Sequence, residues 1–271
     1  MTNAILCRWV VLGAGTIVPQ PSRSPASHCL EIVAAGGRQA ILFDLGPGAL
    51  ARAGDQGFGL EEIRHVVITH FHPDHCADLV ALLFAWRLPR FASSEPPVLW
   101  GPKGIRQLVR NLAGAWGAWV EPGDRFRIEE VEPGSDLDID GLRITPYSTL
   151  HTDHSLAYRI ESPQGAVAAY TGDTGEGGDI VAAARDADLL VIECAVPDGE
   201  EVEGHLAPAA VARIASEARA KRVVLTHAYP EAAALDLAAL VSTGFDGPVW
   251  VARDGWTFAW DSEERPFGPA R

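Results

Sequence analysis

Short apolar runs recur along the chain at Trp9–Leu12, Ala40–Phe43, His65–Ile68, Leu142–Pro146, Leu156–Ile160, Val167–Tyr170, Leu189–Ile192, Arg222–Leu225 and Val249–Val251. Their brevity and β-branched content predict strands. Apolar residues at helical spacing alternate with several of them, at Asp74–Phe84, Ile105–Leu112, Ile180–Ala184, Pro208–Ala218 and Glu231–Val241. Pro208 suits a first helical turn, and Asp74, just after Pro73, suits a helix start. Some strands follow one another directly and others are separated by helices, which predicts an α/β (α+β) sandwich rather than a doubly wound sheet. No linker-like stretch or fixed-period repeat interrupts the pattern, so residues 1–271 are expected to form a single domain. The tail Asp261–Arg271, with two prolines and a charge cluster, is expected to be ragged.

Composition narrows the class. Apolar residues make up 47% of the 271 and charged residues only 21%, which excludes an intrinsically disordered chain. The longest apolar stretch, Leu79 to Trp86, is about half of the ~18 residues a membrane helix needs. Met1 to Trp9 lacks a basic opening and carries Arg8 in its apolar part, so it does not read as a signal peptide. Cys7, Cys29, Cys76 and Cys194 form no C-x-x-C pair. A cytoplasmic protein is the expectation. The formal charge of −14 disfavours a broad nucleic-acid surface, although bound metal ions could still attract one phosphodiester. Gly13-Ala14-Gly15 follows an apolar run, but Val18 stands where a dinucleotide fingerprint needs its third glycine, so a tight turn ending the strand is the better account.

The informative segment is Val66-Val67-Ile68-Thr69-His70-Phe71-His72-Pro73-Asp74-His75. His70 and His72, two apart in extended chain, project to the same side. Asp74 and His75 then open a helix, where consecutive side chains diverge by about 100° and can address a second point nearby. Clustered imidazoles repel one another when protonated and need partners when buried, so the pattern points to metal binding. More donors stand where strands end: His151, Asp173 and His227. Nitrogen and oxygen donors without thiolate suit Zn²⁺, with Mn²⁺ or Fe as alternatives. Seven donors exceed one tetrahedral ion and suit two divalent ions sharing a carboxylate.

With these residues the chain resembles the metallo-β-lactamase superfamily, and within it the branch of ribonuclease Z and related phosphodiesterases. The match runs from Leu12-Gly13-Ala14-Gly15-Thr16 and Leu42-Phe43-Asp44-Leu45-Gly46-Pro47-Gly48 through Thr69 to His75. It continues in His151 with Ser155–Ile160, Tyr170-Thr171-Gly172-Asp173-Thr174, Gly204-His205-Leu206-Ala207-Pro208 and Leu225-Thr226-His227. The resemblance implies a four-layer αββα sandwich with the site on one edge of its two sheets. It places His70, His72 and His151 on one metal, Asp74, His75 and His227 on the other, and Asp173 between them. His154 is the alternative to His151, which keeps the family spacing to Tyr158. A metal-bridging hydroxide is then the nucleophile, Asp74 orients it or receives its proton, and His205 stabilises the transition state or protonates the leaving oxygen, oriented by Glu193.

Other positions carry weaker expectations. Asp44 and Gly46 are read as supporting and turning the chain behind the metals, and His65, His28, Cys29 and Cys76 as structural. Trp116 and Trp119 are read as ordinary helix packing, with a wall or lid over the site as the alternative. Only 22 positions separate His151 from Asp173, no room for the tRNA-gripping arm of bacterial ribonuclease Z, and Pro21–Ser27 lacks the Arg-Asn pair usual there. A small anionic substrate is therefore expected, cleaved at a phosphodiester, with a large RNA and a membrane disfavoured as partners. Ribonuclease Z-type cleavage, hydrolysis of a lactone, β-lactam, carboxylic ester or amide, and a non-catalytic metal-loaded carrier are the alternatives. Relatives are often dimers, which leaves room for a homodimer.

Overall fold

In the computed structural model, residues 6–34, 37–91 and 95–259 are described. Strands β1 (Leu6–Gly13), β2 (Ser27–Ala34), β3 (Gly37–Phe43), β4 (Ile63–Val67), β5 (Val98–Pro102) and β6 (Arg127–Val131) build one sheet. The second comprises β7 (Leu137–Ile139), β8 (Leu142–Ser148), β9 (Leu156–Glu161), β10 (Val167–Tyr170), β11 (Leu189–Glu193), β12 (Val223–Thr226) and β13 (Val249–Val251). A last strand, β14 (Thr257–Ala259), returns to the first sheet beside β1. Among the described residues the sheets run β14-β1-β2-β3-β4-β5-β6 and β13-β12-β11-β10-β9-β8-β7, seven strands each.

Helices cover the outer faces. Helix α1 (Ala49–Asp55), the single turn α2 (Pro73–Cys76), α3 (Leu79–Trp86) and α4 (Ile105–Trp116) accompany the first sheet. The second carries α5 (Ile180–Ala183), α6 (Pro208–Ala218), α7 (Pro230–Ala233) and α8 (Leu237–Val241). Alternation along the strands divides the core into layers. In β1, Trp9 and Val11 face the second sheet, meeting Tyr158, Tyr170 and Val191, whereas Val10 and Leu12 face α1 and α3. On the far side, Leu190, Ile192, Val223 and Leu225 pack under α5, α6 and α8. Strands buried on both faces read as continuous apolar runs, which is why these were visible in the sequence. This is the αββα sandwich.

Several boundaries differ from expectation. The helix expected over Asp74–Phe84 breaks at Ala77–Asp78, because Asp78 turns its carboxylate to the backbone N–H groups of Gly48 (3.1 Å) and Leu50 (3.0 Å). Glu231–Val241 likewise divides into α7 and α8, the latter capped by Asp236. Gly13 and Gly15 do not make a tight turn. They let β1 run against residues 23–25, where a Cβ on Gly13 would stand 1.9 Å from the Pro25 carbonyl oxygen. Trp116 and Trp119 are not packed in the core but 57% and 68% exposed, Trp119 lying edge-on to Phe84. The Asp261–Arg271 tail lies outside the described residues. Among the described residues, no helix is long and apolar enough to cross a membrane.

Candidate metal centre

The loop after β4 carries His70 and His72. The turn α2, opened by Pro73 at its first position, carries Asp74 and His75. His151 follows β8, Asp173 follows β10 and His227 follows β12. All seven side chains meet at one edge of the sandwich in two adjoining donor sets, His70–His72–His151–Asp173 and Asp74–His75–His227, and a third grouping joins Asp173 and His227 with His205. Asp173 faces both. Its Oδ2 lies 3.8 Å from His70 Nε2 and 3.7 Å from His151 Nε2, and its Oδ1 lies 3.3 Å from His75 Nε2 and 3.4 Å from His227 Nδ1. Within the sets, His72 Nδ1 stands 3.0 Å from His151 Nε2, His75 Nε2 3.2 Å from His227 Nε2, and His227 Nε2 3.4 Å from Asp74 Oδ2.

The opposite ring nitrogens are committed elsewhere, which fixes the tautomers. His75 Nδ1 donates to Asp44 Oδ2 at 2.8 Å, His151 Nδ1 to the Gly204 carbonyl at 2.8 Å, and His70 Nδ1 to the Thr69 hydroxyl at 3.0 Å. The Nε2 lone pairs of these three rings therefore point into the site. Asp44 is the hub behind them. Buried completely, it also accepts from the Thr69 N–H, the Thr69 hydroxyl and the Tyr170 hydroxyl at 2.8–3.0 Å. Thr69 and Tyr170 are supporting residues to which sequence reasoning gave no role. Both Asp44 and His227 hold positive φ (57° and 55°), a conformation uncommon for residues other than glycine. Such strain persists where surrounding structure over-determines it, and clusters at functional sites.

Electrostatics describe a site short of positive charge. Burial pushes the Asp173 carboxyl up, but His227, His75 and His70 outweigh it and hold it well below the ordinary carboxylate range. Burial opposes a charge on His75, yet Asp173 and Asp44 together raise its pKa well above the usual imidazole value. Burial lowers His70 and His151. His70 Nε2, Asp173 Oδ1 and His227 Nδ1 are buried with no hydrogen-bond partner among the described residues. Orphaned atoms of this kind are costly unless something electropositive sits among them. A tetrahedral ion with bonds of ~2.0–2.1 Å spaces its donors about 3.3 Å apart, close to the separations here. The donor set fits divalent cations.

His205 lies beside both sets, 5.9 Å from His227 in a stacked pair and 5.0 Å from His151. Glu193, fully buried at the end of β11, accepts from His205 Nδ1 at 3.1 Å. Burial lowers the His205 pKa, but the bond to Glu193 more than compensates, and the net shift is upward. His154 is exposed and joins neither set. Cys76 and Cys29 sit in the core beneath the first sheet's helices, and His28 accepts from Trp9 Nε1 inside the sandwich. A cavity of about 300 Å³ adjoins His205, with Leu150 and Val202 at its rim and Glu176, Glu201 and Glu203 in its wall.

Comparison with known proteins identifies the family. The sequence model for the Beta-lactamase superfamily domain matches residues 39–228. An uncharacterized protein of Mycobacterium leprae is 31% identical over 97% of this chain and 92% of its own length. A ribonuclease Z of Mycobacterium bovis is 28% identical over 90% of this chain and 95% of its own. The crystal structure of the metallo-beta-lactamase fold protein YhfI from Bacillus subtilis superposes with a TM-score of 0.81 at 22% identity, covering 94% of this chain and 99% of that one. By sequence and fold, this chain belongs to the metallo-β-lactamase superfamily.

Proposed function

We propose that this protein is a dinuclear metallohydrolase, loaded with zinc, that cleaves a phosphodiester bond in a small anionic substrate. The observation that carries the reading is Asp173, which turns one carboxylate oxygen to each donor set. His70, His72 and His151 would hold one cation, Asp74, His75 and His227 the other, and Asp173 both. When bound, such ions lower the pKa of a coordinated water from about 15.7 to about 7 and offset charge on phosphoryl oxygens. The chain's own residues do the rest. Asp74 orients the attacking water and takes up its proton. His205, held through Nδ1 by Glu193, offers Nε2–H to the leaving oxygen.

The ribonuclease Z among the relatives raises the alternative of a large RNA substrate. The acidic wall beside His205 and the net charge of −14 disfavour a polyanion, whereas a single phosphodiester needs only the local charge of the cations. The test is elemental analysis of the purified protein together with initial rates on bis(p-nitrophenyl) phosphate, a cyclic nucleotide, a lactone and nitrocefin. Near two equivalents of zinc with phosphodiester turnover are expected. Carbonyl hydrolysis without phosphodiester turnover would replace the proposed reaction. Tight binding of these compounds without any turnover would instead favour a carrier.

A further inference from the structure

His227 is held differently from the other histidines of the centre. His70, His75 and His151 each bond one ring nitrogen outside the donor sets, to Thr69, Asp44 and the Gly204 carbonyl. Both nitrogens of His227 face other donors instead. Nε2 faces His75 and Asp74, and Nδ1 faces Asp173 with no hydrogen-bond partner among the described residues. Ring packing against His205 and Tyr229 aside, its aim is therefore set by the main chain, which is left-handed at this residue (φ 55°). A left-handed histidine persists where its surroundings over-determine it. Here the His227 N–H donates at 2.8 Å to the carbonyl of Ala14, just past β1 of the other sheet.

Ala14 is braced in turn. Its own N–H donates to Asp254 Oδ1 at 3.1 Å, across 240 residues of sequence. The Ser24 N–H donates to both oxygens of the same carboxylate, at 3.1 and 3.0 Å. The Gly15 N–H returns to the Ser24 carbonyl at 2.8 Å and closes a ring of bonds around Ala14. Asp254 stands in the loop between β13 and β14, which is tied to β1 through the Gly255 N–H on the Val11 carbonyl (2.8 Å). The flanking glycines permit this close approach: besides the clash at Gly13, a Cβ on Gly15 would stand 2.5 Å from the Arg23 carbonyl oxygen. Gly13-Ala14-Gly15, an incomplete nucleotide fingerprint, thus has a task beside the metal centre.

We infer that Asp254, acting through Ala14, is a positioning residue that aims His227 at the cation it would share with Asp74 and His75. The carboxylate fixes where the Ala14 carbonyl lies, that carbonyl fixes the His227 backbone, and the backbone carries the imidazole. Partners standing behind a metal ligand are typically worth about 10- to 100-fold in metal affinity. The inference rests on the dinuclear reading for what His227 holds, but the brace itself is tested by metal binding, apart from turnover.

Zinc affinities are measured on the full chain by competition against a chromophoric chelator, with melting temperatures recorded in parallel. Asp254→Ala should weaken one of the two zinc equivalents by about 10- to 100-fold and leave the other as in the wild type. Asp254→Asn keeps Oδ1 for the Ala14 N–H and should restore most of the loss. Gly15→Ala, which pushes the brace apart from its other side, should weaken the same equivalent. Val109→Ala truncates a buried side chain of α4 that has no part in the brace, so it should lower the melting temperature with both affinities intact. Two zinc affinities unchanged in both Asp254→Ala and Gly15→Ala, or a loss that Val109→Ala reproduces at equal destabilisation, would overturn the brace and leave two cations standing. A wild type holding a single zinc that Asp254→Ala still weakens would count against two cations and leave the brace standing.

Discussion

Replacing Glu193 by Gln changes one atom and a charge at a position without solvent exposure. Glu193 Oε1 accepts from the Thr174 N–H at 2.6 Å and from His205 Nδ1 at 3.1 Å, and Oε2 accepts from the Leu206 N–H at 3.1 Å. An amide offers one acceptor oxygen where three donors converge, so at least one buried N–H is left facing another donor. That costs about 1–3 kcal/mol. At about 2–4 °C per kcal/mol for a chain near this size, melting should fall by roughly 2–12 °C. The larger effect is on His205. Burial lowers its pKa and Glu193 is the main group that lifts it, with a smaller lift from Asp173, so without the Glu193 carboxylate the pKa falls. The acid form that protonates the leaving oxygen is then lost at lower pH, and the alkaline arm of the kcat/KM profile moves towards acid. Above that arm the deficit should approach the ~10²- to 10⁴-fold worth of a general acid, and on the acid side it should shrink. The linkage has the same sign for stability: the pair contributes fully below the ordinary histidine pKa, and that contribution fades as pH rises through the raised folded value. The assay is kcat/KM on bis(p-nitrophenyl) phosphate across pH with zinc content measured in parallel. A profile superimposable on the wild type would refute the pairing, and zinc loss matching the rate loss would show that Glu193 acts through the metals instead.

Asp173→Ala should remove metal and activity together, because its two carboxylate oxygens face one donor set each. His205→Ala should lower turnover by about 10²- to 10⁴-fold with metal content near that of the wild type, and equal metal loss in the two variants would contradict the division of roles. Gly46→Ala should destabilise by about 1–3 kcal/mol and lower metal content at the same time. Its Cβ would stand 2.3 Å from the Asp74 carbonyl oxygen and 2.8 Å from that of Ala26, so the backbone under a ligand must shift. Wild-type melting temperature and zinc content in that variant would rule the argument out.

Of the strands that sequence periodicity marked, β10, β11 and β12 are buried at every position and read as near-continuous apolar runs, whereas β8 was marked although Arg143 faces solvent. Strand β6, Arg-Ile-Glu-Glu-Val, was not marked because it is an edge strand whose outward side chains meet solvent. Strand β2 was hidden by Glu31 and His28, polar residues tolerated inside because Glu31 is flanked by Arg8 and Arg38, and His28 takes the Trp9 N–H. The break at Asp78 depends on a loop 28–30 residues away and is invisible to helical spacing. At the site, His70 to His75 stood out through local spacing, whereas assigning His151, Asp173 and His227 to them needed the family resemblance. The hub role of Asp44 and the positive φ of His227 arise from tertiary contacts that no local pattern encodes.

Each donor set takes side chains from both layers of the sandwich: His70 and His72 meet His151 and Asp173, and Asp74 and His75 meet His227. A cation seated in either set would clasp chain segments 79 residues apart in one case and 152 in the other. Neither layer alone owns a full complement of donors, so loading should be coupled to the docking of the two halves, and a chelator should loosen the seam between them as well as silence the chemistry.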